Sequence, residues 1–263
     1  MSEAAAPILL AIDAGVATLT LNRPGVLNAI DVAMAEAFLA AIEAIAADDT
    51  VRAILIRGEG RGFCAGGDVS QFTKGGDPEA AIGAIIEPLH AGLVLLGGLR
   101  QPSVACLQGA VAGGGFSLAL ACDFAVAAEN AKFTMAYARI GATPDASGSF
   151  HLARAVGMKK AREIALLAET FDAAEALRLG LVNCVVPLGE VESEAFALAR
   201  RLAAGPTQAY GRIKMLLDAS GTNTLGEQLE LERQTFAAST RTADFREGIT
   251  AFLEKRPATF TGQ

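Results

Sequence analysis

The chain has 263 residues, of which 52% are hydrophobic and 19% charged, and its formal net charge is −7. This composition is typical of a folded protein with one large core and argues against intrinsic disorder. The acidic balance, without a stripe of Lys or Arg, excludes nucleic acid as an expected partner. No secretory signal or membrane span is predicted, so we expect a cytoplasmic protein.

The cysteine and histidine content bears on redox chemistry and metal binding. The four cysteines show no C-x-x-C spacing and lie in apolar surroundings, as expected for reduced core thiols of a cytosolic protein. They are Cys64, Cys106, Cys122 and Cys184. With only two histidines in the chain, we expect no zinc site. No other metal and no redox cofactor is predicted.

The first third of the chain predicts alternating strands and helices. Apolar residues alternate at 16–21, which indicates a strand, and Asp31 is placed to cap an Ala-rich helix that runs to about Ala47. A second strand at 51–57 leads into a glycine-rich loop at 58–68. A strand that ends in such a loop is a plausible edge of a binding site.

The middle of the chain repeats this organisation. Asp77, followed by proline, begins a helix that continues to about Leu99. The strand at 103–108 is followed by a second glycine-rich turn at 109–115 and by a short apolar helix at 116–121.

Two further strands are predicted at 123–128 and 132–134, and helical periodicity dominates from Ser147 onward. Single helices do not alternate with single strands throughout, so we predict an α/β protein that is not doubly wound. A Gly-Pro pair divides it into a core of residues 1–204 and a C-terminal helical region of residues 205–263. That region is too small to fold alone.

Two glycine-rich turns, at 64–68 and 112–115, each follow a strand and precede a helix. Unpaired N–H groups at such places can bind an anion, although tight turns that need positive φ explain either one alone. A dinucleotide site is not predicted, because Leu118 stands where the third glycine would be. No Gly-x-Ser-x-Gly elbow occurs, and Ser117 lies within a predicted helix, which argues against a serine hydrolase.

Several motifs together resemble the crotonase (enoyl-CoA hydratase/isomerase) superfamily, and the resemblance covers nearly the whole chain. The matching stretches are Gly-Phe-Cys-Ala-Gly-Gly-Asp-Val at 62–69, Pro-Ser-Val-Ala-Cys-Leu-Gln-Gly at 102–109, the triple glycine at 113–115, Ala-Cys-Asp-Phe at 121–124 and Ala-Lys-Phe at 131–133. The resemblance implies the crotonase fold, a spiral of ββα units with a C-terminal helical trimerisation region. It also implies an enzyme that acts on acyl-CoA.

The resemblance assigns roles to both glycine-rich turns. The N–H groups of Ala65 and Gly114 would hold the thioester oxyanion. The loop of Ala65, Gly66, Gly67, Asp68 and Val69 would border the adenine end of coenzyme A. Fixed amide dipoles suit this chemistry, because a proton removed beside a thioester leaves negative charge on the carbonyl oxygen.

The acid/base residues depart from those of the hydratases. A hydratase of this superfamily would carry glutamates where this chain has Ser117 and Tyr137. Two carboxylates that position and activate water are therefore missing. Asp145, in a Pro-Asp-Ala-Ser-Gly context, resembles the aspartate of the ring-opening and double-bond isomerase branch, although a helix-capping role is the alternative for this residue.

A second relative, the 4-chlorobenzoyl-CoA dehalogenase type, uses an aspartate at the position of Asp145 as nucleophile and a histidine as base. This chain has His90 at the position of that histidine, and Tyr137 where the dehalogenase has tryptophan. His90 is otherwise an ordinary helix histidine.

The C-terminal helix carries Phe252 and Lys255, which would share one face if the helix continues through both. By the resemblance, the aromatic ring contacts adenine and the lysine contacts phosphate of the coenzyme A bound to a neighbouring subunit. This predicts a homotrimer or homohexamer.

The sequence therefore predicts an unsaturated acyl-CoA isomerase in which Asp145 moves a proton, with coenzyme A as part of the substrate. Three alternatives stay open: a hydrolase or dehalogenase that uses Asp145 and His90, a hydratase with atypical acid/base groups, and an acyl-CoA-binding protein without activity.

Overall fold

The computed structural model describes residues 6–72 and 76–263 of the chain. The strands of these residues lie in two sheets, and helices fill the connections. The strands are β1 (Ile8–Asp13), β2 (Val16–Leu21), β3 (Ala53–Gly58), β4 (Ser103–Leu107), β5 (Ala110–Ala112), β6 (Phe124–Ala128), β7 (Lys132–Thr134), β8 (Phe171–Asp172) and β9 (Cys184–Val186). The α-helices are α1 (Val32–Ala47), α2 (Pro78–Gly98), α3 (Gly114–Ala121), α4 (Gly148–Leu167), α5 (Ala173–Arg178), α6 (Val191–Ala203), α7 (Thr207–Ser220), α8 (Leu225–Ser239) and α9 (Ala243–Glu254).

The larger sheet has the strand order β1-β2-β3-β4-β6-β9, in which only β1 and β2 are antiparallel. The smaller sheet has the order β5-β7-β8, with β5 and β7 parallel. After β4 the chain leaves the larger sheet, adds β5 to the smaller one and continues into α3. It repeats this path through β6, β7 and α4. These successive ββα units form the spiral expected from the resemblance.

The local start signals of α1 and α2 were predicted correctly. The Asp31 carboxylate accepts a hydrogen bond from Met34 N at 2.9 Å, and Asp77 accepts one from Ala80 N at 3.1 Å. Each bond satisfies an N–H group that the first helical turn leaves unpaired. The two helices pack so closely that a Cβ atom added at Gly92 of α2 would lie only 2.7 Å from the Phe38 ring of α1.

Several elements differ from the sequence-based expectation. The sequence did not predict β1, an edge strand whose Leu9 and Ile12 are both more than 40% exposed, so that no buried face alternates with a polar one. It also missed β5, β8 and β9, which have three residues or fewer. Helix α3 begins at Gly114, two residues before the predicted start at residue 116. The prediction was late because the glycines of the first helical turn were assigned to the preceding glycine-rich turn.

Helix α2 is long and apolar enough to cross a membrane by length and composition alone. One such helix is weak evidence for a membrane span. Here, one face of α2 packs on α1, and a second face lines the cavity described below. The contact with α1 and the position at the cavity explain the apolar side chains of α2 without a lipid bilayer.

The cysteines match the prediction only in part. Cys64 and Cys106 are buried, and burial raises the pKa of each thiol to about 12. Cys122 and Cys184 are partly exposed and pack against the core from its edge. All four are free thiols.

The predicted boundary after residue 204 falls between α6 and α7. At this point the Arg52 side chain donates hydrogen bonds to Gly205 O at 2.5 Å and to Thr207 Oγ1 at 2.6 Å. These bonds connect the start of the C-terminal region to the residue that precedes β3 of the larger sheet.

Candidate active site

The two glycine-rich turns form one structure. Cys64 N donates to Ala110 O at 3.0 Å, and Ala112 N donates to Cys64 O at 2.9 Å. A Cβ atom at Gly115 would lie 2.4 Å from Cys64 O, so only glycine allows this approach. The sequence therefore brings the two turns together through backbone contacts, as the motif pattern indicated.

The structure contradicts the prediction that Ala65 donates to an oxyanion. Its N–H group already donates to Leu27 O at 2.9 Å. Donating to a ligand would break that bond and leave the Leu27 carbonyl without this partner, so Ala65 N–H is not available to a ligand. Ala65 still lines the cavity, which keeps it at the site by its position alone.

Gly67 provides the N–H group that Ala65 cannot. Ile30 N donates to Gly66 O and Asp68 N donates to Ile30 O, so the residue between them has its own N–H on the opposite side of the chain. In the described part of the chain, neither Gly67 N nor Gly114 N has a hydrogen-bond acceptor. A Cβ atom at Gly114 would lie 3.8 Å from Gly67 N, so the two residues are neighbours.

Sequence reasoning missed Gly67 as a donor, although it placed the residue in the coenzyme A loop. Three consecutive small residues, Ala65, Gly66 and Gly67, do not reveal which N–H group stays unpaired. The answer depends on the fold, in which Ala65 N donates to Leu27 O at 2.9 Å and Gly66 N lies 3.4 Å from Cys64 Sγ.

Asp145 does not cap α4, so the capping interpretation is wrong. The N-cap of α4 is Ser147, and no side chain caps the helix. The Asp145 carboxylate instead accepts a short hydrogen bond at Oδ1 from the phenol of Tyr137. Asp145 is partly exposed and lines the cavity.

Ser117 and Tyr137, which occupy the two positions where hydratases would have glutamates, are in contact. Ser117 Oγ lies 3.1 Å from the Tyr137 hydroxyl, and Ser117 is fully buried. Burial, followed by the charge of Asp145, raises the pKa of Tyr137 well above its usual value, so the phenol stays protonated. The site therefore has two neutral hydroxyls and one carboxylate where a hydratase has two carboxylates.

His90 lies on α2, where its side chain holds the backbone beside Asp145. Its Nε2 atom accepts a hydrogen bond from Ala146 N at 3.1 Å. The Nε2 lone pair is thereby occupied, and His90 is not among the described residues that line the cavity. The structure therefore brings His90 near Asp145, but the imidazole bonds to the backbone of Ala146 and not to the Asp145 carboxylate.

The cavity has a volume of about 460 Å³. Most of its wall is apolar, and Asp145 is its one charged side chain among the described residues. One helix face contributes four of the apolar side chains, Ile82, Ile85, Ile86 and Leu89, which follow the i, i+3, i+4, i+7 spacing. The other residues of the wall are Ile30, Ala65, Gly66, Gly67, Val69, Phe72, Gly113, Gly114, Ala136, Tyr137, Ile140, Gly141, Ala142 and Thr143.

The loop predicted to border adenine is held by a charged contact. Asp68 accepts a hydrogen bond from Ser70 at 2.6 Å and pairs with Arg23 at 3.3 Å. The Ser70 hydroxyl, with help from Arg23, holds the pKa of Asp68 below its usual value. Val69 is 52% exposed at the rim of the cavity.

The two residues predicted to contact coenzyme A, Phe252 and Lys255, do not lie on one continuous helix. Phe252 is 81% exposed on α9, but α9 ends at Glu254. Lys255 is the C-cap in the left-handed conformation, with φ of 56°. The prediction that both lie on one face of a continuous helix is therefore wrong, because the chain turns away at Lys255.

Comparisons with known proteins agree with this fold. Residues 11–263 match the family described as Enoyl-CoA hydratase/isomerase. The 1,2-epoxyphenylacetyl-CoA isomerase of Escherichia coli (strain K12) is 39% identical, covering 97% of this chain and 98% of the isomerase. A probable enoyl-CoA hydratase of Rhodobacter capsulatus is 42% identical over 96% of both chains. The crystal structure of an enoyl-CoA hydratase from Polaromonas sp. JS666 has a TM-score of 0.91 at 38% identity and covers 97% of this chain and 99% of that chain.

This chain belongs to the enoyl-CoA hydratase/isomerase family. It has the crotonase fold and is an enzyme of that family, and an acyl-CoA substrate fits the family. The names of the relatives include both an isomerase and a hydratase, so membership of the family does not by itself fix the reaction.

Proposed function

We propose that the protein is an isomerase that moves a double bond within an unsaturated acyl-CoA. Asp145 removes a proton from one carbon and returns it to another, while the N–H groups of Gly67 and Gly114 hold the enolate oxygen. The observation that carries this proposal is that Asp145 is the one charged side chain among the described residues of the cavity wall. It shares that cavity with both glycines.

The chemistry matches the groups present. Removal of a proton from the acyl chain moves negative charge onto the thioester oxygen, and each oxyanion donor typically lowers the barrier by ~3 kcal/mol. A positioned carboxylate typically contributes ~10²–10⁴-fold by proton transfer. The same carboxylate can return the proton, so the reaction needs no second acid, metal or redox cofactor.

The geometry disfavours hydration. A hydratase of this family needs two carboxylates to position and activate water. Here Ser117 and Tyr137 are protonated hydroxyls bonded to each other. Neither can accept a proton from water near neutral pH.

The geometry also disfavours the hydrolase or dehalogenase route. That route needs His90 to activate water against an intermediate covalently bound to Asp145. The Nε2 atom of His90 already accepts Ala146 N–H, and acting as a base through that atom would break the bond. This contact supports a structural role for His90.

The cavity wall also indicates the kind of acyl group. The face of α2 that lines it is apolar, and a volume of about 460 Å³ leaves room for an acyl group larger than crotonyl. We therefore propose an uncharged, apolar unsaturated acyl-CoA as the substrate.

The proposal can be tested with a panel of 2-enoyl- and 3-enoyl-CoA esters incubated in D₂O. Liquid chromatography with mass spectrometry separates an isomer, a hydrate and a free acid. We expect isomers, and ~10²–10⁴-fold slower formation of them with Asp145→Asn. Rapid hydration that persists in Asp145→Asn would reject the proposal, as would binding of every ester without turnover.

A second variant separates the isomerase from the nucleophilic route. We expect His90→Gln to lower isomerase turnover by at most ~10²-fold, because the Gln amide oxygen can still accept Ala146 N–H. In the nucleophilic route, the same change would stall the enzyme after the first step. An adduct on Asp145 in intact-protein mass spectrometry would then favour the dehalogenase-like mechanism.

We further propose that the active form is a homotrimer or homohexamer. The C-terminal helices expose large apolar side chains, which include Leu217, Leu229, Phe236, Phe252 and Leu253. Exposed apolar surface of this kind marks association sites. Light scattering after size exclusion checks the assembly, and a fully active monomer would contradict it.

A further inference from the structure

Three side chains form a hydrogen-bonded chain that ends at Asp145. Ser117 Oγ lies 3.1 Å from the Tyr137 hydroxyl, and the same hydroxyl contacts Asp145 Oδ1. The carboxylate can only accept, so the single phenol proton goes to Asp145. Ser117 must then donate its own proton to the Tyr137 oxygen, which fixes the direction of the chain.

This arrangement makes the two oxygens of Asp145 different. Oδ1 is occupied by the phenol, while Oδ2 has no hydrogen-bond partner in residues 6–72 and 76–263. A carboxylate held at one oxygen cannot rotate freely, so Oδ2 is the oxygen that is left to exchange a proton with a substrate.

The surrounding structure leaves room for only small groups at the far end of this chain. A Cβ atom at Gly148 would lie 2.3 Å from Ser117 Oγ. In the middle of the hydrogen-bonded chain, a Cβ atom added at Gly114 would lie 3.8 Å from the Tyr137 hydroxyl. The phenol therefore stands between the acid and the turn that carries one oxyanion donor.

We infer that Tyr137 is a positioning residue for Asp145, and that Ser117 holds the phenol in place by donating a hydrogen bond to its oxygen. Its phenol donates to Oδ1 and directs Oδ2 towards the acyl group. This inference rests on the proposed role of Asp145 as the group that moves the proton. It assigns the two hydroxyls that stand in place of the hydratase glutamates a shared role, which is to orient a single carboxylate.

The kinetic test is Tyr137→Phe, which keeps the ring and removes only the hydroxyl. We expect kcat to fall by ~10–10²-fold, the effect of a misplaced catalytic group, with KM changed by less than about twofold. Ser117→Ala should lower kcat by less, because the phenol still reaches Asp145. A Tyr137→Phe enzyme with the kcat of the wild type would overturn the inference, as would a change in KM alone.

A spectroscopic test needs no turnover. The chain has two tyrosines and no tryptophan, so Tyr210→Phe leaves Tyr137 as the single near-ultraviolet phenol. A phenol that donates to a carboxylate absorbs at longer wavelength than one that donates to an amide. Adding Asp145→Asn to the Tyr210→Phe protein should therefore shift the Tyr137 band to shorter wavelength at neutral pH.

The two tests have separate consequences. If no acyl-CoA is isomerised but the band shifts, the proposed function fails and the Tyr137–Asp145 bond stands. If isomerisation occurs and the band does not move, Asp145 acts without Tyr137 and the inference is wrong. Circular dichroism of each variant checks that the fold is kept.

Discussion

The two halves of the candidate active site are made in different ways. The oxyanion half consists of backbone N–H groups in the turns at 64–67 and 113–115, held by main-chain hydrogen bonds and by contacts that admit only glycine. The acid half consists of side chains. Tyr137 and Ser117 orient the carboxylate of Asp145, and His90 holds the backbone of the next residue.

This difference separates what every reaction of the site would share from what selects one reaction. Stabilisation of a thioester oxyanion depends on the path of the backbone, so most side-chain changes leave it intact. The choice between hydration, isomerisation and nucleophilic attack depends on which side chains surround Asp145. Exchange of a few side chains in the acid half can therefore change the reaction without changing the fold.

The largest effect is expected in the acid half, from Asp145→Asn. Turnover should fall by ~10²–10⁴-fold, because the amide cannot accept a proton. Affinity for the acyl-CoA, measured by calorimetry, should stay nearly the same, since Asn can still accept the Tyr137 hydrogen bond.

Asp172→Asn is the matched control for this substitution. Asp172 caps α5 by accepting from Glu175 N at 3.0 Å, and Asn serves equally well as a cap. The control should keep full turnover. Wild-type turnover in Asp145→Asn would show that the reaction does not need the Asp145 carboxylate.

The oxyanion half is tested by Gly115→Ala. The new Cβ atom would lie 2.4 Å from Cys64 O and 2.5 Å from Cys64 Cβ, so the two turns must move apart. We expect the free energy of unfolding to fall by ~1–3 kcal/mol. We expect kcat to fall by ~10²–10³-fold as the Gly114 N–H group is displaced.

Gly97→Ala provides the comparison. Gly97 lies in α2, where an added Cβ atom meets nothing within 4 Å. Alanine there should stabilise the helix by ~0.5–1 kcal/mol and leave kcat unchanged. Equal losses in the two variants would mean that the contact with Cys64 is not what holds the site.

The sequence predicted what local signals determine. Asp31 and Asp77 were recognised as caps because the cap and its partner are three residues apart. The glycine turns were recognised because few residues other than glycine adopt positive φ or allow such close approach. Neither inference required knowledge of distant parts of the chain.

What the sequence could not predict depends on contacts between distant residues. The Ala65 N–H group donates to the Leu27 carbonyl. The Ala146 N–H group donates to Nε2 of His90, which lies 56 residues away in the chain. Only the folded chain reveals these pairings. The end of α9 was misjudged for another reason, because Lys255 is not a residue that usually signals a left-handed C-cap.

A smaller effect is expected from Ser147→Gly, which tests strain in the acid half. Ser147 adopts φ of 67° immediately after Ala146 at 47°, and its buried hydroxyl has no partner among the described residues. Glycine should raise the free energy of unfolding by ~1–2 kcal/mol.

Ala168→Gly is the control for Ser147→Gly, since Ala168 also has positive φ, at 50°, but lies at the C-terminal end of α4. Its gain should be smaller, because no buried hydroxyl is removed there. Thermal unfolding compares the two variants. Destabilisation by Ser147→Gly would show that the Ser147 side chain supports the acid half instead of straining it.

The smallest effect is expected outside both halves, in the C-terminal segment at 256–259. Glu247 accepts hydrogen bonds from Arg256 and Thr259, and mainly the Arg256 contact lowers the pKa of Glu247 to about 2 from 4.5. A lowered pKa contributes stability that is present above 4.5 and is lost as the pH falls towards 2. The segment should therefore loosen in that window, which hydrogen exchange with mass spectrometry detects as faster exchange. The exchange of residues 64–67 should not change, and Glu247→Gln should abolish the pH dependence of the segment. A pH step that persists in Glu247→Gln would assign it to another carboxylate.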